Sequence, residues 1–306
     1  MTVAILTYLA LALVVALGAR WLVHLALLRG LEAPRLAHDI TPADLDLPRE
    51  TVQEIRLPGP RGKSLFAWLV MPATPGPHPA VLVMHGWGAN ASMMLQIAPP
   101  LHAAGYAVLF VDARCHGQSD DDRFTSMPRF AEDIAAGLAY LRTRPEIAPD
   151  AIALLGHSVG AGAVLLHAAR KDDVCAVISL SAFAHPREVM RAWMAQYHIP
   201  FAVIGQYVLR HVERVIGARF DEIAPINTVT QVRCPLLLVH GRDDTTVAFA
   251  DALRLQAAQP AAQLLAIPGD HDLRETLRPY SGELVAFLDR ACKAARNKRL
   301  GLGRSR

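Results

Sequence analysis

Gly156-His157-Ser158-Val159-Gly160 sets a serine between two glycines where an apolar run, AIALL at 151–155, gives way to a helical pattern at 160–170. A G-x-S-x-G turn between strand and helix strains the serine backbone and lifts its hydroxyl clear, and only small flanking residues let the two elements approach closely enough. A serine hydroxyl is a weak nucleophile at neutral pH and needs a histidine base, itself oriented by a carboxylate. With 13 histidines in the chain, position must select among them. In a sheet of this kind the acid and then the base follow the serine, each at the carboxyl end of a later strand. Gly241-Arg242-Asp243-Asp244 follows PLLLVH, and Gly269-Asp270-His271 follows QLLAIP, so Asp243 or Asp244 is the acid and His271 the base. Asp270 reads as a surface acid of the same loop.

The tetrahedral intermediate of acyl transfer also needs two backbone N–H donors, one from the residue after the nucleophile and one from the loop after an earlier strand. Val159 supplies the first, and Trp87 in His85-Gly86-Trp87-Gly88, after AVLVMH, supplies the second. Other clusters carry less. Asp120-Asp121-Asp122 has no His or Glu at ligand spacing and reads as a solvated turn rather than a metal site. His116, His157 and His240 sit in motif positions with no proton to move, and His167, His185, His198 and His211 read as ordinary helix or cap residues.

The elements that must position these groups follow from short apolar runs alternating with helical patterns. TVQEIRL (51–57) and SLFAWLVM (64–71), joined by PGPRGK, read as an antiparallel hairpin. Further runs stand at 80–85, 106–112, 151–155, 174–181, 235–240 and 263–268, with helices at 127–143, 160–170, 247–258 and 273–295. Continuous apolar runs separated by helices indicate a mostly parallel sheet covered on both faces, an α/β fold. Between Ser181 and Pro235 the chain spends far more residues than an ordinary loop, and 6 of its 19 aromatic residues, so a helical cap with an apolar underside is expected over about 182–233.

Taken in order, HGWG at 85–88, DARCHGQSD at 112–120, GHSVG at 156–160, HGRDDTTV at 240–247 and PGDHDL at 268–273 resemble the α/β-hydrolase superfamily, on its serine-hydrolase branch of esterases, lipases and related aminopeptidases. The resemblance extends over roughly residues 50 to 290. It implies an α/β-hydrolase fold with Ser158 as nucleophile, His271 as general base and acid, and Trp87 and Val159 as oxyanion donors. The family spacing H-G-x-x-D lands on Asp244, with Asp243 as the fallback. Cys115 stands where the family usually has Gly. The implied reaction is cleavage of an acyl bond, a carboxylic ester before all, through an acyl-serine intermediate. Amides, thioesters and acyl transfer share that intermediate, and a non-catalytic ligand-binding module on the same fold is the reading from a different class. The chemistry calls for no cofactor and no metal.

The chain's 31 Lys and Arg against 28 Asp and Glu look mildly basic, but seven basic residues (Arg290, Lys293, Arg296, Lys298, Arg299, Arg304, Arg306) follow the last acid, Asp289. Without those seven, 24 basic face 28 acidic groups, which argues against a nucleic-acid partner. The partners expected are a small acyl substrate and a membrane. Four cysteines without a C-x-x-C pair suggest neither a zinc site nor a compact disulfide framework, and fit a reducing compartment.

Residues 3–19 are uncharged, with Thr7 and Gly18 alone outside the apolar set. At 1.5 Å per residue they span ~25 Å, near the ~30 Å of a hydrocarbon core. A cleaved signal peptide would carry Lys or Arg ahead of such a run, and none precedes this one, so an anchor is favoured. The expected organisation is therefore an anchor at 1–30, a linker at 31–50, a hydrolase domain at 51–292 and a basic tail at 293–306 that would face an anionic leaflet. Arg20, Arg29 and Arg35 follow the apolar run, and the positive-inside rule puts the body in the cytoplasm. Protease added to sealed inverted vesicles is expected to digest the body; a shielded body would reverse this orientation.

Overall fold

The computed structural model describes residues 2–299. Helix α1 (Thr2–Gly30) precedes β1 (Val52–Pro58), β2 (Ser64–Val70), β3 (His78–Met84), α2 (Ala98–Ala103), β4 (Ala107–Val111) and α3 (Met127–Thr143). Then come β5 (Ile147–His157), α4 (Val159–Arg170) and β6 (Ala176–Leu180). The long connection to β7 (Leu236–Gly241) carries α5 (Pro186–Gln196), a short π-helical turn (Phe201–Gly205), α6 (Gln206–Ile216), α7 (Phe220–Ile223) and α8 (Pro225–Thr228). The chain closes with α9 (Phe249–Ala258), β8 (Gln263–Ile267) and α10 (Ser281–Arg299). Of the basic tail, residues 300–306 lie outside the described residues.

Eight strands make one sheet in the order β1-β2-β4-β3-β5-β6-β7-β8. β2 runs antiparallel to both β1 and β4, and every other pairing is parallel. The unbroken apolar runs are explained by burial on both faces. In β2, Leu65, Ala67 and Leu69 join the core under α3, α4 and α9, whereas Phe66, Trp68 and Val70 join the core under α2 and α10. The period of two is present, but both phases are apolar.

Three expectations are corrected. The helix read over 273–295 starts at Ser281, because Pro279 has no N–H to continue a helix and Leu273 and Leu277 are buried in a preceding turn. Asp122 is no part of a solvated turn: its carboxylate lies 2.8 Å from Arg129 and 3.3 Å from buried Arg114. Cys175 and Cys292 form a disulfide although 117 residues separate them, since α10 packs across the sheet with their Cα atoms 5.3 Å apart. Disulfides persist in oxidising compartments, so this pair weighs against the reducing compartment read from cysteine spacing.

Two loops that frame the carboxyl ends of β3 and β4 are joined by buried histidines. His85 Nε2 accepts from Ala113 N–H at 3.0 Å while its Nδ1–H donates to the Gly86 carbonyl. His116 Nε2 accepts from Gly88 N–H at 3.2 Å while its Nδ1–H donates to the Arg114 carbonyl. A neutral imidazole, with one donor and one acceptor, is the only form that makes both bonds. Burial keeps both rings neutral, pushing the His116 pKa down to about 3. Cys115, in the loop after β4, has φ 67°, which explains why glycine suits that position; its buried thiol is pushed up in pKa by desolvation and accepts from Asp122 N–H at 3.2 Å.

At the β5–α4 junction the chain turns sharply. A Cβ at Gly160 would stand 2.3 Å from the His85 carbonyl oxygen, so the helix reaches the β3 terminus only without a side chain there. We expect Gly160→Ala to lower unfolding free energy by about 2 kcal/mol or more, read from guanidinium midpoints; an unchanged midpoint would show that the junction has room. Because His116 titrates near 3 in the fold and near 6.5 when unfolded, its contribution is complete above pH 6.5 and lost as pH falls toward 3. The midpoint should therefore fall between pH 6.5 and 4, less steeply in His116→Gln, and equal slopes in the two proteins would remove the histidine from the account.

Candidate active site

Ser158 caps α4 with φ 54° and ψ −116°, a conformation that costs of order 1–3 kcal/mol for a residue with a side chain. Its N–H is fixed to the Leu180 carbonyl at the end of β6, 2.9 Å away, and its own carbonyl starts the helix by accepting from Gly162. The hydroxyl is thereby presented at the carboxyl edge of the sheet, over the positive end of the α4 dipole.

The next two strands bring the other groups. At Gly241, closing β7, a Cβ would lie 2.3 Å from the Gly269 carbonyl oxygen, so glycine is what allows the loops after β7 and β8 to touch. Across that contact His271 Nδ1–H donates to Asp244 Oδ2 at 2.8 Å, and the Ser158 hydroxyl donates to His271 Nε2 at 3.0 Å. Asp243 points elsewhere, accepting from Gly269 N–H at 3.1 Å, and Asp270 is exposed and accepts from Asp272 N–H. Of the two acids that the motif order leaves open, Asp244 is the one in line with His271.

Asp244 is fully buried at its side chain. Burial acts to raise its pKa, but hydrogen bonds from His240, His271 and the Val247 N–H outweigh it and hold the carboxyl well below the usual range. Oδ1 also accepts from Thr246 N–H at 2.9 Å, and His240 Nε2–H lies 2.8 Å from the Val247 carbonyl and 3.3 Å from Asp244 Oδ2. The acid is thus a fixed carboxylate.

His157, the variable residue of the motif, has a role that the sequence did not reveal. Its Nε2–H donates to the His271 carbonyl at 2.8 Å, and burial followed by the neighbouring His271 pushes its pKa down to about 4, so the ring is neutral. It props the backbone of His271. On the other side, the loop after β3 stands against Ser158: a Cβ at Gly86 would be 3.1 Å from Ser158 Cβ. Trp87 lines the same cavity as Ser158, and Val159 follows Ser158 as the first residue of α4.

Ser158 and His271 open into a cavity of about 370 Å³. Met93, Met94, Ile97, Leu273 and Leu277 make an apolar wall, and Arg274, ion-paired to Asp272 and Asp39, marks a polar edge. None of these wall residues was read from the sequence, although ASMMLQI directly after HGWG carries the signal in its apolar side chains. A larger hollow of about 890 Å³, lined by Arg35, His38 and Trp68 beneath the linker, includes neither Ser158 nor His271.

A family model described as serine aminopeptidase, S33, matches residues 75–213. An uncharacterised protein of Mycobacterium tuberculosis is 28% identical over 235 residues, 76% of this chain and 74% of the relative. A 2,6-dihydropseudooxynicotine hydrolase from Paenarthrobacter nicotinovorans is 27% identical over 216 residues, 69% of this chain and 57% of the enzyme. Among solved structures, an esterase of Pyrococcus furiosus superimposes with a TM-score of 0.67 at 21% identity, over 86% of this chain and 98% of the esterase, a likeness of fold. The motif order, the order of the strands and these likenesses agree on the fold: the chain has an α/β-hydrolase fold, and over residues 75–213 it is similar to the serine aminopeptidase S33 family.

Proposed function

We propose that the protein is a serine hydrolase that cleaves a carboxylic ester bearing a lipophilic acyl group through an acyl-Ser158 intermediate. The observation that carries this reading is the hydrogen-bonded line from Asp244 through His271 to a serine held at positive φ. His271 takes the Ser158 proton as the hydroxyl oxygen attacks the ester carbonyl, and the Asp244 carboxylate stabilises the imidazolium that forms. The oxyanion is met by the Trp87 and Val159 N–H groups. His271 returns the proton to the leaving alkoxide, then activates a water that releases the acid and regenerates Ser158.

The apolar wall supports a lipophilic acyl group, and α1 supports a membrane setting. Val3–Gly30 is long and apolar enough to cross a bilayer, and none of its most apolar stretch is buried within the protein. The reading is a single-pass anchor. The flanking arginines favour a cytoplasmic body and the disulfide an oxidising compartment, and protease accessibility in inverted vesicles decides between them.

Ser158→Ala should abolish labelling by a fluorophosphonate probe and nearly all ester turnover; an unchanged rate in that variant defeats the mechanism. Asp244→Asn should lower kcat by about 10²–10⁴-fold, because the neutral amide no longer balances the imidazolium. Met93→Trp, which fills the apolar wall, should cut kcat/KM for long-chain relative to short-chain esters by about tenfold, and an unchanged ratio would place the acyl chain elsewhere.

A further inference from the structure

Where α1 leaves its apolar stretch it meets the cap. His24 Nδ1 lies 2.9 Å from Nε2 of His211 on α6, and Leu27 and Leu31 pack against the core nearby. His24 is four residues past Arg20, the first charge after the uncharged run, or ~6 Å along the helix. The headgroup layer on each side of a hydrocarbon core is ~5–7 Å thick. If α1 spans a bilayer, its contact with α6 therefore falls at headgroup depth, and so must the part of the cap around His211.

That part of the cap has the composition of a surface that lies in an interface. From Val189 to Val212 the sequence contains no acidic residue, while Arg191 and Arg210 are exposed. Trp193, Tyr197, Ile204 and Tyr207 are between 41% and 61% exposed, large fractions for side chains of this kind. The Trp193 ring in the last turn of α5 and the ring of Tyr197, which caps that helix, pack on each other at 4.7 Å. Tyr207 lies one turn before His211 on α6, their rings 5.9 Å apart, so the exposed residues lead along the chain to the α1 contact. Aromatic rings with polar edges, aliphatic side chains and cations without a carboxylate partner are what an interfacial helix offers to lipid; Arg191 lies over the Phe201 ring, 4.8 Å from its centroid.

We propose that the exposed face of the cap, from Trp193 to Tyr207, is a second membrane contact that lies on the lipid bilayer beside α1. The proposal rests on α1 being the anchor. Its chemistry is burial of the rings and Ile204 at the boundary between headgroups and acyl chains, with Arg191 and Arg210 toward anionic headgroups. The cap is then laid against the membrane by two elements that are distant in sequence.

The test uses the full-length protein in nanodiscs of phosphatidylcholine and phosphatidylglycerol whose acyl chains are brominated near the headgroup. Difference fluorescence between wild type and Trp193→Phe isolates Trp193, and the same subtraction with Trp21→Phe isolates the ring on α1. The expected result is that bromolipid quenches both rings, Trp193 by about half, while a tryptophan placed by Leu253→Trp in the Trp193→Phe background, on exposed α9, stays bright. Quenching of Trp21 without Trp193 would overturn the docked cap and leave the anchor standing. Quenching of neither would remove both. Equal quenching at position 253 would mean unspecific contact and also overturn the proposal. A Trp193 that is bright in bromolipid but shielded from acrylamide only when two copies share a disc would assign the face to self-association instead.

Discussion

Everything at the carboxyl edge of the sheet depends on one strained residue, Ser158 at φ 54°. A backbone in that region relaxes unless its neighbours forbid it, and here the restraint comes from both sides. The Ser158 N–H is tied to β6, its carbonyl to the first turn of α4, and the helix behind it presses on the end of β3 through Gly160. The strain is stored by packing, and the same packing makes the hydroxyl point toward His271.

The electrostatic design around that point relies on histidines that carry no charge. His85 and His116 are buried and His157 is half-buried; each is kept neutral by desolvation and uses a ring nitrogen to hold a backbone group of a loop beside the site. A charged side chain in those places would cost several kcal/mol to desolvate. A neutral imidazole joins a donor to an acceptor across two loops at little cost, and leaves Asp244 as the one fixed charge in line with His271.

What could be read from the sequence, and what could not, follows from the range of each interaction. The strands were legible because burial on both faces leaves unbroken apolar runs, and Ser158 and His271 because the motif order ties each to a strand end. The choice between Asp243 and Asp244 rested on family spacing, and only the loop geometry shows which carboxylate meets His271. The start of α10 was misread because the apolar pattern continues through Leu273 and Leu277 although Pro279 interrupts the helix. The Cys175–Cys292 disulfide and the prop from His157 to His271 join residues more than 100 positions apart, which no local pattern encodes.

The linker between α1 and β1 is latched to the body. Arg35 donates to the Gly117 and Ser119 carbonyls, Asn90 donates to the Leu36 and Ala37 carbonyls, His38 is 2.9 Å from Asp112, and Asp39 pairs with Arg274 at the edge of the cavity. A slack tether lets a body tumble through every tilt above a surface; this one has no slack to give. With α1 in a bilayer, helix and body would turn as one piece, and the height and azimuth of the cavity mouth would be built in. Reach then joins affinity as a filter: the bonds open to cleavage are those that present themselves at the depth where the mouth is mounted.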